Sequence, residues 1–180
     1  MNDELKIEWD IIERSKVDPQ NFELLYKKYY QQILKFVYKR MDRVEDAYDI
    51  TAETFGKALA NIGKYKNQGF KFSSWLYRIA INEINEFYRK AQKQRTVNID
   101  DASSKFLAEE TGRESAELKQ VLKKALQYLD EDELQLLELR FFEERPFSEV
   151  AEILAITENN AKTKTYRVID KLRDIFKKLN

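Results

Sequence analysis

The stretch FSSWLYRIAINEINEFYRK, Phe72 to Lys90, sets Trp75, Arg78, Asn82, Asn85 and Arg89 on one side of a helical wheel, and Lys93 continues the column. An indole stacks on an unpaired base, amides bond exposed base edges, and cationic groups follow phosphates. This set of groups therefore predicts capture of single-stranded nucleic acid. The opposite arc, Leu76, Ile79, Ala80, Ile84, Phe87 and Tyr88, is the expected buried face. The preceding loop, GKYKNQGF, offers Tyr65, Lys66, Asn67 and Gln68 between Gly63 and Gly69, a mobile pocket for one flipped base.

A second set lies near the carboxy terminus, in FSEVAEILAITENNAKTKTYRVIDKLR. Ala151, Ala155 and Ala161 let two helices cross closely at a tight turn, as a helix-turn-helix requires, and Thr157 is placed to cap the second helix. From that helix Asn159, Asn160, Lys162, Thr163, Tyr166 and Arg167 point away from Ala161, Val168 and Leu172. Amides and cations near a helix start suit base edges in a groove, with hydroxyls and cations around them for phosphates.

Composition narrows what these groups can do. Zero Cys and zero His remove disulfides, thiolate nucleophiles, zinc sites and imidazole acid-base chemistry, and there is no phosphate-binding glycine loop. A non-enzyme without cofactor or metal is expected. The net charge is zero over 180 residues, yet the charges segregate. Acids gather in Asp42 to Glu53 and Asp100 to Glu117; Arg89, Lys90, Lys93 and Arg95 form one basic block and Lys162 to Lys178 another. Such segregation suits one anionic and one cationic partner. The start, MNDELKIEWD, has no apolar run, and no segment reaches the roughly 20 apolar residues of a membrane span, so a cytoplasmic chain with no membrane partner is expected.

The elements that position these groups are all helical in period, with four Gly and two Pro in the chain. The pattern predicts a short helix around Trp9 to Arg14, a helix start at Asp18 before Pro19, and a longer helix to about Met41 with Phe22, Leu25, Tyr26, Tyr29, Ile33, Phe36, Val37 and Tyr38 as its stripe. A third helix covers roughly Val44 to Ile62. The polar, aperiodic segment 95–115 reads as a flexible linker, giving an all-α chain of two small domains, 1–94 and 116–180. In the second, Asp130 and Glu133 form a capping-box pair, the helix runs to Phe142, and Ser148 is a candidate cap after RPFS.

Four ordered blocks, IIERSKVDPQNFELLYKKYY, VEDAYDITAETFGKAL, GFKFSSWLYRIAIN and LDEDELQLLELRFFEERPFSEVAEILAITENNAKTKTYRVIDKLR, resemble the extracytoplasmic-function sigma factors of bacterial RNA polymerase. The resemblance covers about residues 10–94 and 116–176. It implies that the first domain binds the clamp helices of the core polymerase largest subunit, reads the minus-10 promoter element and begins melting. It implies that the second reads the minus-35 element, and it brings an anti-sigma factor into the range of partners. On this reading Asp46, Asp49 and Glu53, which share one face, contact the core enzyme. Four positions depart from the family pattern. Ala52 stands where Gln is usual, Ala155 where Gly is common at the turn, Thr165 where an apolar residue is usual, and Asp170 adds an anion near DNA. Ala155 must either avoid positive φ or accept strain of about 1 kcal/mol. Minus-35 contact is expected to centre on Lys162 and Arg167. A helix-turn-helix regulator that works without core polymerase and an all-helical protein-binding adaptor are the alternatives.

Overall fold

The computed structural model describes residues 3–66, 69–91, 122 and 124–178. The expected boundaries at 94 and 116 and the segment 95–115 lie outside them. Among the described residues there is no strand; they fall into two compact units, one up to residue 91 and one from residue 122.

In the first unit, α1 (Asp3–Val17) is longer than the periodicity suggested. Asp18 accepts the Gln20 amide and Pro19 opens a 3-10 turn, which leads directly into α2 (Phe22–Tyr38). Then come α3 (Val44–Asn61), a 3-10 turn Ile62–Lys64, and α4 (Phe72–Ala91). The core is where the stripes meet: Ile12, Phe22, Leu25, Ile33, Phe36, Ala47, Phe55, Phe72, Leu76, Ala80 and Ile84 are all buried. Removing such side chains from water is the main driving force here, about 1.5–3 kcal/mol for each large one.

The stripes are narrower than expected in two places. Tyr26 and Tyr38 of α2 are exposed, and Ile79 and Phe87 of α4 are only half-buried. On α4 the places of Ile79 and Phe87 are taken by Tyr77 and Ile81, because α4 packs against both α2 and α3 and so turns a different arc inward. Tyr77 meets Phe36 edge to face at 4.7 Å and accepts a hydrogen bond from Gln32 Nε2 at 3.0 Å.

In the second unit, residues 124–126 are helical and α5 (Glu131–Leu137) opens with the expected capping box, Asp130 Oδ1 accepting from the Glu133 amide and Glu133 Oε2 from the Asp130 amide. The helix widens into a π turn over Glu138–Phe142. Next are α6 (Phe147–Leu154) and α7 (Glu158–Lys178). Ser148 is not a cap: α6 begins at Phe147 with extended Pro146 at the capping position and no side-chain bond. Leu122, Leu126, Leu134, Leu137, Phe141, Val168, Leu172 and Phe176 form the core of this unit. No described helix is long and apolar enough to cross a membrane.

Candidate nucleic-acid interface

In the first unit two helical rails face each other. Lys57 and Asn61 of α3, with Lys64 of the following turn, repeat at i, i+4 and i+7; Trp75, Ile79 and Asn82 of α4 repeat likewise. Between them lies an open groove of about 360 Å³, with Tyr65 at one end and Glu83 in its wall. Of the residues expected to hold a strand, the groove gathers Tyr65, Trp75 and Asn82. Trp75 is half-buried and Asn82 exposed. Arg78, Asn85 and Arg89 do not line the groove. Arg78 is half-buried, Arg89 is exposed and paired with Glu86, and Asn85 keeps its Oδ1 buried without a hydrogen-bond partner. Lys66 is exposed, while Asn67, Gln68 and Lys93 lie outside the described residues.

Tyr65 is more firmly held than a mobile loop residue would be. Its ring lies 4.9 Å from that of Trp75, 5.4 Å from Phe72 and 6.3 Å from Trp9 of α1. This tilted cluster fixes the Trp75 indole with part of its surface open. Electrostatics add to it. Glu83 is only 7% exposed, and both its oxygens accept from Lys57 Nζ, at 2.6 and 2.7 Å. The bond to Glu83 raises the Lys57 pKa, so this ammonium stays charged at the rim. Lys57, Asn61, Lys64 and Glu83 escaped the sequence reading, and Ile79, expected on the buried face, lines the groove instead. Their signal was the spacing on α3, which looks like an ordinary solvated face until α4 is placed opposite.

On α3, Asp46 is half-buried and Asp49 and Glu53 are exposed. Beside them Tyr26, Tyr30 and Phe55 cluster, with Tyr26 4.9 Å from Phe55 and 5.0 Å from Tyr30, and Tyr48 is exposed nearby. Burial first, and then the neighbouring Tyr26 and Tyr48, push the Tyr30 phenol up.

In the second unit Asn159, Asn160, Lys162, Thr163, Tyr166 and Arg167 are all exposed on α7, while Ala161, Thr165, Val168 and Leu172 are buried. Thr157 Oγ1 accepts the Asn160 amide at 3.2 Å, as its position suggested. Lys162 pairs with Glu158 at 2.9 Å, and Tyr166 packs beside Phe147 of α6 at 6.2 Å. Asp170 is matched by Arg173 at 2.7 Å, which offsets the anion expected to face DNA. Ala155 takes φ 55° and ψ 43°, so the turn is left-handed and the strained alternative is the one adopted. Ile156 N–H donates to Ala151 O at 3.0 Å, the 6→1 bond of a Schellman ending.

Comparison with known proteins matches residues 25–94 to Sigma-70 region 2 and residues 125–174 to Sigma-70, region 4. RNA polymerase sigma factor SigV of Bacillus subtilis (strain 168) is 31% identical over 143 residues, 79% of this chain and 83% of that protein. RNA polymerase sigma factor YlaC of the same organism is 28% identical over 157 residues, 82% and 87% of the two chains. Among solved structures, the sigma factor RpoE from Bartonella quintana, in complex with the anti-sigma factor NepR, has the same fold with a TM-score of 0.56 at 20% identity, covering 88% of this chain and 98% of that one. Two sigma regions in order, together with a relative 31% identical over four fifths of the chain, leave one assignment: the chain belongs to the sigma-70 family of RNA polymerase sigma factors, in its extracytoplasmic-function group.

Proposed function

We propose that this sigma factor directs core RNA polymerase to specific promoters through three separate surfaces. The acidic face of α3, Asp46, Asp49 and Glu53, docks on the basic clamp helices of the largest subunit. The groove between α3 and α4 takes unpaired bases of the minus-10 element, with Trp75 as the stacking surface, Asn82 at base edges and Lys57 and Lys64 near phosphates. The exposed face of α7, Asn159 to Arg167, reads the minus-35 duplex. Residues 1–94 and 116–180 are the two functional domains. The observation that carries this reading is the half-open Trp75 ring, clamped by Tyr65 and Phe72 on the wall of the groove opposite Lys57, Asn61 and Lys64.

Magnitudes fix the division of labour. Opening about ten base steps costs on the order of 14 kcal/mol, at about 1.4 per step. One base stacked on an aromatic side chain returns about 1–3 kcal/mol. The chain therefore nucleates melting inside the holoenzyme, contributes recognition rather than catalysis, and acts in the cytoplasm where the polymerase is. Anti-sigma control fits the fold, since a structural relative was solved with such a partner.

The test is reconstitution with core polymerase and mapping of transcript starts, repeated with Trp75→Ala. Loss of open complex with core binding retained supports the reading. Equal opening removes the groove from it.

A further inference from the structure

Glu8 of α1 is 5% exposed and sits far in sequence from every group assigned to DNA or polymerase. Its carboxylate has three partners from two other elements. Oε2 accepts from Lys28 Nζ at 2.7 Å and from the Tyr29 hydroxyl, both on α2. Oε1 accepts from the backbone amide of Phe72 at 3.0 Å. Phe72 is the first residue of α4, and that amide is one of the donors a helix leaves without an internal partner. A side chain from α1 thus performs, across 64 residues of sequence, the task usually done by a local cap.

The neighbouring residue extends the connection. Trp9 is stacked near Tyr65 at 6.3 Å, with Lys16 Nζ 4.9 Å over its ring. Tyr65 in turn touches Trp75, three residues into α4 from Phe72. Glu8 and Trp9 together therefore hold both sides of the aromatic cluster, the start of α4 through a hydrogen bond and the loop through ring contact. A small cavity of about 40 Å³ lined by Glu8, Trp9, Ile12, Tyr65 and Phe70 lies beside these contacts.

We infer that Glu8 is a positioning residue for strand capture, acting through the Phe72 amide to set the direction in which α4 presents Trp75 to the groove. This rests on the reading of the groove as the single-strand site. An ion pair with Lys28 alone would stabilise the fold without aiming α4. The Phe72 bond is the part that matters for function, and the two can be separated.

The experiment uses the full chain reconstituted with core polymerase, below the thermal transition of each variant. It measures core binding, and binding of a dye-labelled premelted bubble promoter followed by the anisotropy of the dye. Glu8→Ala should weaken bubble binding about tenfold, the scale of one buried donor left unsatisfied, with core binding unchanged. Glu8→Gln keeps an oxygen for the Phe72 amide, and Lys28→Met removes the ion pair and the ammonium over the Tyr29 ring but leaves the Phe72 bond; both should stay within about twofold of the parent protein. The inference is overturned if Glu8→Ala binds the bubble normally while merely melting earlier, or if Lys28→Met is as weak as Glu8→Ala. Trp75→Ala is the control: weak binding there with normal binding by Glu8→Ala sinks only this inference, whereas normal binding by Trp75→Ala sinks the groove reading and this inference with it.

Discussion

Replacing Ala155 by Gly should stabilise the second unit. Ala155 ends α6 at φ 55° and ψ 43°, a region where an L-residue places Cβ against its own backbone. The conformation is imposed by the Schellman ending, in which the Ile156 amide reaches back to Ala151 O. Because Ala155 is exposed, removing its methyl opens no cavity. The left-handed conformation costs about 1–2 kcal/mol for a non-glycine residue. Glycine gives back about 0.4–1 kcal/mol through its freer unfolded chain. The net gain is about 0.5–1 kcal/mol, or about 3–6 °C in the midpoint of a unit this small. Ala155→Val should go the other way, since a β-branched side chain tolerates positive φ worse.

The assay is thermal unfolding of the full chain by circular dichroism, with the transition of the second unit identified by its response to a minus-35 duplex. A fall or no change in that midpoint with Ala155→Gly would refute the reasoning, because strain at Ala155 would then be absent in solution. An unchanged affinity for the duplex is expected alongside the gain, since the turn conformation is the same in both proteins.

Thr165→Val should add about 1 kcal/mol to the second unit: Thr165 is 1% exposed with its Oγ1 buried and unbonded, and an unsatisfied hydroxyl costs about 1–3 kcal/mol. Urea titration checks it, and duplex binding through Tyr166 and Arg167 should be untouched. Glu83→Gln frees the Lys57 ammonium, so the holoenzyme should hold single-stranded oligonucleotide more tightly, with a log–log salt slope steeper by about 0.7, read by anisotropy at several salt concentrations. The first unit should lose stability in acid through Glu8. Burial pushes this carboxyl up, but the bonds from Lys28, Tyr29 and Phe72 outweigh burial and leave it below the ordinary 4.5. A depressed folded-state pKa means the contribution is fully present above the unfolded value and is lost as pH falls from about 4.5 through the folded value. Glu8→Gln should flatten that acid limb in a pH series of unfolding midpoints.

What the sequence made legible follows from the range of each interaction. The two faces of α4 and of α7 are written in a local period, so the outward placement of Asn82 and of the row from Asn159 to Arg167, and the partial exposure of Trp75, could be read directly. The capping pair Asp130 and Glu133 spans three residues and was equally plain. Lys57 and Glu83 are 26 residues apart and neither is unusual alone; only the packing of α3 on α4 makes a pair of them. Tyr65 read as a pocket residue because its partner Trp9 is 56 positions earlier, on a helix whose length the pattern underestimated. Ser148 failed as a cap because extended Pro146 starts α6 at Phe147, one residue before it. The π turn at Glu138–Phe142 breaks the 3.6 period without any Gly or Pro to announce it.

On the proposed function the two units solve different problems, and their surfaces differ accordingly. A duplex presents base edges in a groove that a helix can enter, and the residues proposed to read them, Asn159 to Arg167, lie on an exposed face of α7 over a small buried core. An unpaired base offers its flat face, and a stacking partner is effective only if it does not have to be ordered at the moment of capture. Trp75 meets that need by being half-buried, braced by Tyr65 and Phe72 while one side stays open. The bracing in turn requires α1, whose Glu8 ties the start of α4 and whose Trp9 supports Tyr65. The proposed single-strand site thus depends on long-range packing to a degree that the proposed duplex-reading face does not. Core substitutions in α1 should therefore impair opening more than they impair minus-35 binding.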